Sequence, residues 1–249
     1  MKPFPYDLTG PIGSAATLGL IVLQSDETVE QDFRRLFASP DVALHFTRIP
    51  SGTDVTPETL AEMEQELPSA AGLLPPSARF GSVGYACTSG STMIGPERVG
   101  ELIKGACHTQ ATTNPLTAAR AALRALGITR LGIVSPYVAS VAEPVRRALA
   151  EAGVEAPETL SFGESTEARV ARIAPASIRA AALDLGRRSG IDGVFLSCTN
   201  LRSLDVIDDI EAELGLPVLS SNQVLAWHMA AQAGLPLSGP GRLWQTPAA

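Results

Sequence analysis

The chain has 249 residues, 45% hydrophobic and 18% charged, enough for one large α/β domain or two small lobes, and with aromatics at 5% its core must be mostly aliphatic. A formal net charge of −7 removes any global electrostatic reason to bind nucleic acid, although a local pocket can still take an anionic substrate. No run approaches the roughly 18 apolar residues of a membrane span, and MKPFPYDLTGPIGSAAT lacks the apolar core of a signal peptide, so the expected setting is cytoplasmic, with no membrane partner.

Residues 1–17 read as an irregular lead-in rich in Pro and Gly. The first strand is LGLIVL, 18–23. After the polar break QSDET, VEQDFRRLF reads as a helix with Val29, Phe33, Leu36 and Phe37 on one side. DVALHFTRI, 41–49, is the next strand. Over 56–74, Thr56 can cap a helix, Pro57 suits its first position and Glu58 its positive end, while Pro68 is expected to kink or end it. SVGYAC, 82–87, is a short strand that runs straight into TSGSTMIG. GPERVGELIKG starts and continues a helix, and 112–127 is a helix stopping at Gly127. RLGIVSP, 130–136, is a strand. Residues 138–153 are helical, with Pro144 near the first turns, and so are 177–190. GVFLSC, 193–198, is a strand, followed by the helix LDVIDDIEAELG, the strand PVLSS and the last long helix NQVLAWHMAAQAG. This alternation predicts a mostly parallel sheet with helices on both faces.

An internal repeat organises the chain. LGLIVLQSDETVEQDFRRL from Leu18 and LGIVSPYVASVAEPVRRAL from Leu131 share strand, polar turn and a helix with Arg-Arg before Leu, 113 positions apart. GYACTS and FLSCTN each end a strand at a cysteine followed by Thr, Cys87 and Cys198, 111 positions apart. Two segments in one order at nearly one offset indicate duplication. The expected lobes are 1–115, carrying Cys87, and 116–225, carrying Cys198, with 226–249 packing back on the first.

Open parallel sheets bind ligands at the carboxyl ends of their strands. Four such ends carry capable groups: Gln24-Ser25-Asp26, Cys87-Thr88-Ser89, Ser135-Pro136-Tyr137 and Cys198-Thr199-Asn200. If the lobes face each other, Cys87 and Cys198 approach one cleft from opposite sides. One thiolate can then remove a proton from an activated carbon while the other thiol delivers one to the opposite face, or a cysteine can attack carbon directly. Hydroxyls and N–H groups at helix starts, among Thr88, Ser89, Gly90, Ser91, Thr199 and Asn200, would hold the developing charge and favour thiolate. A single cysteine at a strand end is ordinarily a small buried residue; it is the repeat-related pair that points to chemistry. Cys107 reads as an ordinary position, His228 as structural, Asn222 as a possible cap of the last helix, and Asp26 as a turn former and cap that can also bind. Three cysteines make no disulfide scaffold, and Cys107-His108 is too close and isolated for zinc, so no metal is expected. G-x-G-x-x-G is missing near the first strand and no G-x-x-x-x-G-K-[ST] or H-E-x-x-H occurs, so no cofactor is expected.

Through LGLIVLQSDETVE, GYACTSGS, LGIVSPY, FLSCTN and SSNQVLAW, in order across roughly 17–235, the sequence resembles the aspartate/glutamate racemase superfamily. It looks closest to the branch of maleate cis-trans isomerase, arylmalonate decarboxylase and the ectoine-utilisation protein. The resemblance implies two pseudo-symmetric Rossmann-like lobes, each a mostly parallel sheet flanked by helices, with a cofactor-free active site in the cleft between them. It implies Cys87 as nucleophile and Cys198 as acid/base, Tyr137 on a substrate carboxylate, and Thr88 and Ser89 as a dioxyanion hole. Two departures matter. Maleate isomerases have asparagine in the first turn where this chain has Asp26, which would repel a dicarboxylate and favours one carboxylate with an amine or amide nearby. Arylmalonate decarboxylases carry glycine where this chain has Cys87. The expectation is a cofactor-independent isomerase or racemase of a small carboxylic acid, with Cys87 and Cys198 catalytic and Asp26, Thr88, Ser89, Tyr137, Thr199 and Asn200 binding substrate. The alternatives are a decarboxylase of a malonate-type acid with Cys198 as proton donor, and a non-enzymatic small-molecule binder. A homo-oligomer is compatible with such a fold.

Overall fold

The structure, a computed structural model, describes residues 1–52, 54–188, 190–236 and 238–247. After a lead-in without regular elements, the first half runs β1 (Ala16–Leu23), α1 (Val29–Leu36), β2 (Val42–Ile49), α2 (Pro57–Gly72), β3 (Phe80–Ala86), α3 (Thr88–Ile94), α4 (Pro96–Ala106) and β4 (Thr109–Thr113). Then come α5 (Pro115–Leu126), β5 (Arg130–Tyr137), α6 (Ala139–Glu151), β6 (Glu155–Glu164), α7 (Glu167–Val170), α8 (Pro175–Gly186), β7 (Gly193–Leu196), α9 (Ile207–Leu214), β8 (Val218–Ser220) and α10 (Ser221–Gln232).

The strands form two four-stranded sheets, ordered β2-β1-β3-β4 and β6-β5-β7-β8, and every pairing is parallel. Adding four to each label of the first order gives the second, so the repeat seen in the sequence is a repeat of topology. The fold is α/β with two pseudo-symmetric, helix-flanked sheets.

Strand alternation decides which helix covers which face. In β1, Leu18, Leu20 and Val22 point to one side and meet Phe33 of α1 with Leu225 and Met229 of α10. Ile21 and Leu23 point to the other and join Leu67 of α2 and Val99 and Ile103 of α4. In the second sheet Leu131, Ile133 and Phe195 pack with Leu116 and Leu123 of α5, Leu149 of α6 and Val224 and Trp227 of α10. Val134, Val194 and Leu196 pack with Ile178 and Leu185 of α8 and Ile207 and Ile210 of α9. Helix α10 is buried nearly all round, its polar first turn included, and lies against both sheets at once.

Two expectations need correction, one is narrowed and one strand went unread. Of the two outcomes expected at Pro68, a kink or an end, the end does not occur: helix α2 continues to Gly72, with Leu67, Ala70, Ala71 and Leu74 anchored in the core on both sides of the proline. Residues 109–113 are an edge strand, not the approach to a helix, so the next helix starts only at Pro115 behind an Asn114 cap. Strand β6 went unread because it is a largely exposed edge with Pro157, and its register to β5 shifts beside that residue. Ser220, not Asn222, caps α10. No helix among the described residues is long and apolar enough to cross a membrane.

Candidate active site

Strand β3 ends at Ala86, and the next residue, Cys87, is the N-cap of α3. Its Sγ accepts the Gly90 N–H at 3.1 Å, as a Ser or Asp oxygen would. In the second sheet β7 ends at Leu196, and Cys198 Sγ accepts the Asn200 N–H at 3.3 Å. Equivalent strand ends thus deliver the two sulfurs, and both line one small cavity of about 250 Å³, part of it open to solvent.

Asp26, Thr88, Ser89, Tyr137, Thr199 and Asn200 line the same cavity, so the structure brings together all eight residues singled out in the sequence. They do different work. Asp26 Oδ1 accepts the N–H groups of Thr28 and Val29 at 2.8 and 2.9 Å, tying it to the start of α1. Its Oδ2 is buried without a partner. Thr88 shares a 2.8 Å hydroxyl contact with Ser221, and the Thr199 hydroxyl donates to the Ala86 carbonyl at 3.2 Å, linking the two sheets. The Asn200 amide is engaged on both sides: Oδ1 accepts from Glu27 N–H at 2.9 Å and Nδ2 donates to Glu167 at 2.8 Å.

Tyr137 leads to a residue that sequence reasoning missed. Its hydroxyl donates to Glu167 Oε1 at 2.7 Å and lies 3.1 Å from Cys198 Sγ. With the tyrosine proton directed to the carboxylate, the thiol proton of Cys198 points to the tyrosine oxygen. The row thiol, phenol, carboxylate is a connected proton path. Glu167 opens the one-turn helix α7, in a stretch with no motif and no strong periodicity, and only its position after Ser165-Thr166 hinted at a helix start. Tyr85 was also missed. It is fully buried beside Cys87, and a Cβ on Gly90 would fall 2.6 Å from its hydroxyl and 2.9 Å from Cys87 Sγ. Cys107 and His228 lie elsewhere, the first near the Ile103 carbonyl at 3.5 Å, the second 2.7 Å from Thr113 Oγ1.

Burial is the main force on Cys87, Cys198 and Asp26. It pushes Cys87 up to about 12, assisted by the charges of Glu167 and Asp26 and opposed by the Gly90 N–H. It lifts Cys198 well above the usual thiol range, again with Glu167 adding and Tyr137 and Asn200 opposing. It raises Asp26 to about 6 against the two backbone donors. The unliganded site therefore keeps both sulfurs protonated at neutral pH.

Two thiols and two carboxylates around one pocket suit proton transfer at carbon, and the comparisons agree. The family model described as arylmalonate decarboxylase matches residues 54–244. The maleate isomerase of Nocardia farcinica is 28% identical over 235 residues, covering 90% of this chain and 92% of its own length. The arylmalonate decarboxylase of Bordetella bronchiseptica is 33% identical over 127 residues, 49% of this chain and 51% of that one. A solved structure of the Nocardia farcinica maleate cis-trans isomerase, a cysteine-to-serine mutant with a covalently bound succinylcysteine intermediate, superposes with a TM-score of 0.78 at 26% identity, covering 92% of this chain and 98% of that one. With a family model spanning most of its length and relatives aligned end to end, this chain belongs to the arylmalonate decarboxylase family, in the maleate isomerase and arylmalonate decarboxylase branch of the aspartate/glutamate racemase superfamily, and is an enzyme of that cysteine-dependent isomerase–decarboxylase kind.

Proposed function

We propose that the protein is a cofactor-independent isomerase or racemase acting at the carbon beside the carboxylate of a small organic acid, with Cys87 and Cys198 as its two working groups. The observation that carries this is the presence of two thiols, from matched ends of β3 and β7, on one small cavity.

In racemisation Cys87, as thiolate, takes the proton: the C–H bond breaks, an S–H bond forms, and the electron pair moves into the carboxylate. The first-turn N–H groups of α3, at Thr88 and Ser89, have no acceptor within the helix and receive the enediolate oxygens. Cys198 then gives its proton to the opposite face of the carbon and is left as the thiolate. One proton has moved from carbon to Cys87 and one from Cys198 to carbon. On an unsaturated acid the Cys87 sulfur instead adds to the double bond, the π pair moves into the carboxylate, and reversal after rotation expels the sulfur. The turnover leaves Cys87 as thiol and Cys198 as thiolate, and one proton passing from Cys87 to Cys198, received there through the Tyr137 hydroxyl, resets the site.

The family model favours a second reading, decarboxylation of a malonate-type acid. There the bond to carbon dioxide breaks, its electron pair stays on carbon, and Cys198 supplies the proton, with no task for Cys87. Proton NMR in deuterated water distinguishes the two. For the isomerase, both Cys87→Ala and Cys198→Ala lose about 10³-fold in deuterium exchange or loss of chirality. Carbon dioxide release that needs Cys198 and survives Cys87→Ala sinks the isomerase reading in favour of the lyase.

A further inference from the structure

The two sulfurs have different tyrosine neighbours, and the difference begins in the repeat. Two positions before Cys198 stands Leu196, and at the matching place before Cys87 stands Tyr85. Side chains two apart on a strand point to one side, so Tyr85 of β3 runs beside Cys87. It is fully buried. A Cβ at Gly90 would lie 2.6 Å from the Tyr85 hydroxyl, 2.9 Å from Cys87 Sγ and 3.1 Å from Met63 Cε, so the three side chains meet around one point. The hydroxyl donates to Met63 Sδ at 3.5 Å, and a thioether is a weak acceptor. A buried phenol ordinarily finds a stronger one. Tyr137 has done so, since it donates to the Glu167 carboxylate at 2.7 Å. Tyr85 is therefore a donor left poorly matched for as long as Cys87 stays a thiol.

We infer that Tyr85 is a positioning residue for Cys87: its hydroxyl turns from the Met63 thioether to the sulfur as the thiolate forms, and so makes Cys87, rather than Cys198, the thiol that opens the reaction. A bond from O–H to thiolate is charge-assisted and stronger than one to a thioether. With the Gly90 N–H at 3.1 Å, the thiolate then has two donors. Burial, aided by the charge of Cys87, holds Tyr85 well above the usual phenol range, so it lends its hydrogen without giving it up. At Cys87 the same hydroxyl opposes the rise that burial imposes. Cys198 has no equal of this donor, because the tyrosine 3.1 Å from it already gives its proton to Glu167. The inference rests on the proposed function only for what the Cys87 thiolate does next, and its test needs no substrate.

The test is alkylation of the full chain by iodoacetamide at about pH 9, where the rate follows the thiolate fraction. Labelling of Cys87, Cys107 and Cys198, all free thiols, is followed separately by mass spectrometry of their peptides. Tyr85→Phe removes the hydroxyl and keeps the ring. It should slow labelling of Cys87 by about 10-fold or more, the worth of a donor to a charged group, with Cys198 changed by less than about 2-fold and the circular dichroism spectrum preserved. Met63→Leu removes the competing acceptor and should speed labelling of Cys87 by about 3-fold. A Cys87 rate unchanged in Tyr85→Phe, or slowed equally with that of Cys198, overturns the inference and leaves the isomerase reading standing. Selective slowing at Cys87, in a protein whose carbon dioxide release survives Cys87→Ala, upholds the inference about the sulfur and removes the isomerase reading. Should Tyr85→Phe not fold, Met63→Leu decides: faster labelling of Cys87 supports the inference, and an unchanged or slower rate overturns it.

Discussion

Gly90 has an ordinary backbone conformation, so its role is to leave room. A methyl group there would lie 2.6 Å from the Tyr85 hydroxyl and 2.9 Å from Cys87 Sγ, both closer than real Cβ atoms approach. Gly90→Ala should therefore lower kcat/KM by more than 10-fold while the protein stays folded, with the loss seen also as a slower reaction of Cys87 with an alkylating reagent. Asp26 gives a pH signature. Burial raises its native pKa to about 6, whereas the unfolded chain releases the proton near 3.8. Between those values the native state binds more protons, so stability falls as pH rises through the window and is regained on acidification. The difference is roughly 3 kcal/mol at full ionisation. Asp32, buried and raised to about 6 despite the Asn222 amide, adds a second contribution of the same sign. Urea unfolding at pH 4.5 and 7.5 should show Asp26→Asn losing about half of this dependence. Of the residues that matter, the cysteines, Asp26 and Tyr137 were legible because each closes a strand that the sequence marks clearly. Glu167 was not legible. Its importance comes from Tyr137 and Asn200 reaching it from 30 and 33 positions away.

At the scale of elements, the buried strands β1, β3, β5 and β7 and the amphipathic helices were plain in the sequence, since hydrophobic runs of strand length between turn signals have few other readings. What was lost lies at the edges. Strand β4 reads TQATT and β6 reads EAPETLSFGE, segments whose strand character comes from pairing to a neighbour and not from their own apolar pattern. Pro68 does not end its helix for the converse reason: a local rule lost to tertiary anchoring of the residues around it. That loss has a cost in stability. Proline at position 68 withholds the N–H that the Glu64 carbonyl would accept and crowds that turn. Pro68→Ala should therefore stabilise the protein by about 1–2 kcal/mol in urea unfolding, after allowance for the looser unfolded chain, with activity unchanged.

For the molecule as a whole, the duplication was the most informative thing in the sequence, and the identical strand orders bear out the two-sheet architecture. What the sequence did not show is how the halves are joined. Polar bonds cross between them around the site: Glu27 N–H to Asn200, the Thr28 hydroxyl to the Asn200 carbonyl, and Asn222 Nδ2 to Asp32 at 2.8 Å, the same amide also donating to the Thr199 carbonyl within its own half at 2.9 Å. Asn222→Ala leaves the buried Asp32 carboxylate without that donor and should cost about 2–3 kcal/mol in urea unfolding at pH 7.5. The cost should shrink near pH 4.5, where Asp32 is protonated. The position of α10 against both sheets also bears on how the chain is made. The first sheet has all its strands once Thr113 is in place, yet the face carrying Leu18, Leu20 and Val22 is covered by Leu225 and Met229. Those residues leave the ribosome roughly a hundred positions later, on the order of 5–20 s at ordinary rates of synthesis. For that interval the nascent first half carries an uncovered aliphatic surface, which makes it a client for chaperone holding until α10 has emerged.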